Sequence, residues 1–132
     1  MSERNGKCAF IPDGYTRDGF IAATEFHPDV RFTYRPSTVI QRTVVNGLIR
    51  IEHAKGTETG LAKTEELAAE LVASHVVTWD IVDPDGAEVE VTADNVLQNE
   101  PHLFNRMYLI IMGESVSDEI KELESVKNSQ PG

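Results

Sequence analysis

Four histidines, at positions 27, 53, 75 and 102, are the first side chains to test for chemistry. An imidazole can ligate a transition metal or carry a proton near neutral pH. No two of them stand at i, i+3 or i+4, so local spacing builds no helical zinc pair. His75 falls on the apolar side of a helical repeat, where a hydrogen-bonded core or rim histidine is expected. His102 falls in a first helical turn, where a surface role is expected. Asp83-Pro84-Asp85-Gly86 has the look of a calcium loop. Aligning Gly86 with that loop's invariant glycine, however, puts Ile81 at the first ligand and Thr92 at the twelfth, and both are wrong for those roles. Ser115 lacks the second glycine of a nucleophile elbow. Glu65-Glu66 reads as charge at a helix start, and Glu88 with Glu90 as a solvated face. No glycine-rich phosphate loop is present, and Arg31, Arg35, Arg42 and Arg50 are scattered rather than striped. The reading is therefore not an enzyme, with no catalytic residue, cofactor or metal ligand expected.

Composition narrows the partners. A chain of 132 residues suggests one domain with a single core. A formal net charge of −10 disfavours nucleic acid and anionic membrane surfaces as partners. Cys8 is the lone cysteine, which excludes an intramolecular disulfide and fits a reducing compartment. The longest apolar run, Met107 to Met112, is far too short to span a bilayer, and the first residues lack a signal-peptide core. The expected location is cytoplasmic.

The elements that must position any site come next. Residues 1–19 read as an irregular arm. Phe20 to Phe26 and Val30 to Arg35 read as strands of a hairpin over 20–35, with Val30, Phe32 and Tyr34 on one face. Ser37 is the expected N-cap of a first helix, about 37–55, whose face is Val39, Ile40, Val44, Leu48 and Ile51. Its β-branched residues and Gly47 lower intrinsic propensity, so this helix depends on burial. Residues 56–60 read as an exposed linker. Thr64 is the expected cap of a second helix, about 64–79, with Leu67, Ala68, Leu71, Val72, His75, Val76 and Trp79 on its face. An alternative stays open there: 77–91 can form a second hairpin around a turn in which Pro84 fixes φ and Gly86 takes positive φ. Thr92 caps a short helix at 93–98. Asn99 is expected to cap a helix over 100–112 with Pro101 in its first turn. The fold expected is a mainly α domain over 20–113 with an N-terminal β-hairpin, or α+β if the second hairpin forms. Residues 114–132 read as an acidic tail, partly helical or disordered.

The last helix presents Leu103, Phe104, Met107, Tyr108, Ile111 and Met112, apolar nearly all round at its end. Such a face is either core or a surface for a partner. Trp79, Pro84, Gly86, Thr92 and Pro101 read as structural.

One family matches the order of these signals. Trp79-Asp80, the Asp83–Gly86 loop, Thr92-Ala93-Asp94-Asn95 and the proline-started run from Glu100 to Gly113 resemble small tail assembly chaperones of long-tailed, siphovirus-like bacteriophages. Phe32-Thr33-Tyr34-Arg35-Pro36 is similar to that family's extended segment before its first helix, and the likeness covers about residues 20 to 118. The resemblance implies a non-catalytic protein of the host cytoplasm. Such a protein binds the tape-measure protein, keeps its apolar helices soluble and aids polymerisation of tail-tube protein. It carries over no defined binding residue and sets no oligomeric state. The rival expectation is a structural virion component, a head–tail or capsid accessory protein, joining neighbouring subunits through its N-terminal arm.

Overall fold

The computed structural model describes residues 9–119. The arm before residue 9 and the tail after residue 119, including the helical pattern expected there, lie outside the described residues. Three strands, β1 (Arg17–Ile21), β2 (Val30–Tyr34) and β3 (Val76–Trp79), form one antiparallel sheet in the order β1-β2-β3. Four helices accompany it: α1 (Val39–Ala54), α2 (Glu58–His75), α3 (Ala93–Leu97) and α4 (Pro101–Ile111). The fold is α+β, which corrects the expectation of a mainly α domain.

The correction turns on residues 76–79. The second helix ends at His75, and Val76-Val77-Thr78-Trp79 becomes the third strand. These are strong strand formers, and β2 offers an unpaired edge. The apolar period nevertheless runs on to Trp79, and the register explains why. Phe32 pairs with Trp79 and Tyr34 with Val76, with an irregularity between Thr33 and Tyr34. A bulge of this kind puts an extra residue, Val77, opposite the ladder, so Val76 and Trp79 share one sheet face although three apart. The turn at 83–86 does form as a hairpin tip, with a bridge between Val82 and Glu88. Strand β3 itself pairs with β2 instead of with 87–91.

Several boundaries move for local reasons. Strand β1 begins at Arg17, inside the expected arm, because its pairing with β2 runs from Arg17–Tyr34 to Ile21–Val30. Thr38, not Ser37, caps α1: its hydroxyl accepts from the Gln41 amide, and the Gln41 side chain accepts from the Thr38 amide. Ser37 instead serves the far end of α4, donating from both N and Oγ to the Ile111 carbonyl. Thr57, not Thr64, caps α2, so the expected linker is already its first turn. Glu100, not Asn99, caps α4: its Oε1 accepts from the amides of His102 and Leu103.

The core lies between the sheet and three helices. Ile21, Val30, Phe32 and Tyr34 meet Ala69, Leu71 and Val72 of α2, Val96 of α3 and the inner side of α4. Helix α1 packs against α2 and contributes no buried residue. Beyond α4 the chain returns to β1. The Ser117 hydroxyl accepts from the Phe20 amide at 2.7 Å, the Asp118 amide donates to the Phe20 carbonyl, and Asp118 Oδ2 accepts from the Ala22 amide. Arg106 holds Asp118 in a forked ion pair at 3.2–3.3 Å. The outer edge of β1 is thereby covered by the same chain.

Candidate functional sites

Helix α1 carries the clearest unsatisfied surface. Val39, Ile40, Val44, Leu48 and Ile51, the side expected to be buried, are exposed by 69, 76, 55, 45 and 58%. They recur at steps of one, four, four and three, a continuous stripe about 18 Å long at the helical rise. Gly47 sits beside Leu48, and a Cβ there would meet nothing within 4 Å. The opposite side of the helix packs on α2 and on the core through Val45, and Arg42 Nη1 donates to the Met112 carbonyl. The helix is well capped but poor in intrinsic propensity, so its sequence calls for burial that the described residues do not supply.

The α4 residues divide into two groups. Leu103, Met107, Ile111 and Met112 are 4, 0, 1 and 0% exposed and belong to the core. They reach a partner only if α4 leaves the sheet. Phe104 and Tyr108 are partly buried, and together with Ile49 of α1 and Ala68 of α2 they line a hollow of about 190 Å³. Burial pushes the Tyr108 hydroxyl pKa up, and the Glu114 charge adds to the effect.

The structural residues do what turn and cap chemistry requires. Trp79 Nε1 donates to the Val89 carbonyl at 2.6 Å, tying β3 to the hairpin tip. Asp83 Oδ1 accepts from the amides of Asp85 and Ala87, and Gly86 has φ +87°, which follows Pro84 into a tight turn. The Thr92 hydroxyl accepts from the Asn95 amide. Pro101 occupies the first turn of α4. His75 is buried, with Nδ1 donating to the Arg35 carbonyl at 2.7 Å, a core role.

One cluster was invisible to local spacing. His27, in the β1–β2 connection, meets His102, in the first turn of α4, with Nε2 and Nδ1 at 3.1 Å and the rings stacked at 5.3 Å between centroids. The Glu100 carboxylate stands beside them, and one ligand atom from each residue lies within 4.8 Å of the others. His27 is buried, Glu100 half-buried and His102 exposed. The cluster opens on a cleft of about 560 Å³ lined by His27, Glu100 and the carboxylates Asp29, Asp80, Asp83, Glu88 and Glu90. Positions 75 residues apart share no helical or loop spacing, so no motif rule joins them.

No helix among the described residues is long and apolar enough to cross a membrane. No family model, curated protein or solved structure matches the chain.

Proposed function

We infer that the chain is a non-catalytic assembly chaperone, of the kind found in tail assembly of long-tailed phages, that shelters the apolar side of a client helix along α1. The carrying observation is the exposed stripe from Val39 to Ile51 on a helix that buries nothing of its own. Its period suits a second amphipathic helix laid alongside, read through anchors three and four residues apart. Gly47 leaves room for close approach. The net charge of −10 keeps such a complex dispersed.

Magnitudes fit a transient task. Covering these five partly exposed side chains contributes on the order of 1 kcal/mol apiece, roughly 5 kcal/mol gross. Association itself costs at least about 4 kcal/mol in lost motion. The face therefore holds a helix reversibly, as a chaperone that must release its client requires. The resemblance supplies the client, the tape-measure protein, and the tail-tube protein whose polymerisation around it the chaperone aids. The rival reading, a virion component joined through its N-terminal arm, would need a free strand edge, and at Phe20 and Ala22 the outer edge of β1 is taken by Ser117 and Asp118.

The test is co-expression with a tape-measure protein of a long-tailed phage. Wild-type chain should keep that protein soluble and co-purify with it. Val44→Glu and Leu48→Glu should lose both properties while retaining the fold. Equal protection by these variants would sink the reading. A wild-type dimer that Val44→Glu converts to a monomer would assign the stripe to a second copy instead.

A further inference from the structure

We propose that His27, His102 and Glu100 form a binding site for a divalent transition-metal ion of the zinc type, independent of the α1 face. Two imidazole nitrogens bound to one tetrahedral zinc ion stand about 3.3 Å apart, given Zn–N bonds of about 2.0–2.1 Å. His27 Nε2 and His102 Nδ1 are 3.1 Å apart, with a Glu100 carboxylate oxygen inside the same 4.8 Å cluster.

The tautomer of His27 is set for ligation. Its Nδ1 lies 2.8 Å from the Pro28 carbonyl, which can only accept, so the proton sits on Nδ1 and the Nε2 lone pair points at His102. In the metal-free protein the Nδ1 proton of His102 fills that gap. A metal ion would replace it: the exposed His102 ring gives up its Nδ1 proton to water and takes one on Nε2, which frees the Nδ1 lone pair for the ion. The His27 backbone is pinned by the Thr24 amide donating to its carbonyl. The capping bonds to Glu100 both use Oε1, which leaves Oε2 for coordination.

Charge and donor type choose the ion. The Glu100 carboxylate offsets the positive end of α4. In the lining of the same cleft, Asp29, Asp80 and Asp83 add negative potential, which draws a cation in. Two nitrogens and one oxygen favour zinc and its borderline neighbours over calcium or magnesium, which take oxygen ligands. Three protein ligands leave a fourth position for water or for a donor from a partner. The consequence for the fold is a clamp: the β1–β2 connection is fastened to the start of α4 across 75 residues of sequence.

The experiment is calorimetric titration of tag-free protein with zinc chloride at neutral pH, paired with the visible spectrum of the cobalt(II) form. Wild type should bind one zinc per chain, give the d–d absorption of a low-coordinate cobalt site, and melt at higher temperature with zinc. His102→Ala, a change at an exposed side chain, should keep its circular dichroism and lose roughly tenfold or more in affinity. Glu100→Gln, which preserves the acceptor that caps α4, should also weaken binding. Magnesium and calcium should give no comparable heat. Absence of one-to-one zinc binding, or a His102→Ala variant that binds as well as wild type, would overturn the assignment.

Discussion

The ring of Phe32 covers Gly19 across the β1–β2 ladder. The two residues are paired in register, and a Cβ built on Gly19 would lie 2.5 Å from Phe32 Cζ. Phe32 is itself only 3% exposed, so its ring has nowhere to retreat. Gly19→Ala should therefore destabilise the domain by about 1–3 kcal/mol, the usual cost of overpacking. Urea unfolding followed by tryptophan fluorescence measures it, since Trp79 pairs with Phe32 from the other side. An unchanged midpoint would mean that β1 does not sit in this register.

Two helical glycines should respond in opposite directions. At Gly47 a Cβ meets open space, so Gly47→Ala should stabilise α1 by about 0.5–1 kcal/mol through helix propensity. At Gly60 a Cβ would lie 2.6 Å from the Glu52 backbone oxygen, where α2 begins against the end of α1. Gly60→Ala should destabilise, because backbone cannot swing aside as a side chain can. Thermal melts of the two variants should move apart, and a shift of the same sign in both would contradict the tight α1–α2 hairpin.

Stability and binding should separate between α1 and α4. Val44→Glu and Leu48→Glu replace exposed residues with a good helix former and should change stability by no more than about 0.5 kcal/mol. Met107→Ala empties a fully buried site and should cost about 2–5 kcal/mol. If the α1 variants unfold the protein, the stripe is core and the sheltering role fails with it.

Alkaline pH supplies a further check. Burial raises the hydroxyl pKa of Tyr34, an effect that its hydrogen bond with Arg17 partly opposes, and burial also raises that of Tyr108. A raised folded-state pKa means that the unfolded chain releases these protons first. Both groups thus contribute stability below the ordinary tyrosine range near pH 10, and that contribution is lost as pH rises through their folded values. Stability should fall above pH 10, with two tyrosines titrating late by ultraviolet absorbance. Tyr34→Phe and Tyr108→Phe should each remove part of that slope.

What the sequence could reveal followed the range of each interaction. Caps and turns at Thr92, Pro84, Gly86 and Pro101 were legible because three or four neighbouring residues decide them. Ser37 has the residue type of a cap, but its hydroxyl serves Ile111, 74 residues away, leaving Thr38 to cap α1. The strand at 76–79 was hidden by the bulge at Val77, which gives Val76 and Trp79 the three-residue spacing of a helix. The pattern on α1 is amphipathic, yet an apolar period does not say whether its cover is intramolecular. His27 and His102 met only through the tertiary fold.

The return of Ser117 and Asp118 to β1 spans up to 97 residues, so the first strand is finished by nearly the last described segment. Contacts of such long sequence separation are formed late and slowly. On the ribosome, β1 and β2 emerge early but must wait for the far end of the chain before their border is sealed. A nascent or clipped chain ending near Gly113 would carry a raw strand margin open to neighbouring polypeptides. After a cut in the short stretch 114–116, only the bonds to Phe20 and Ala22 and the Arg106–Asp118 ion pair would keep that margin covered.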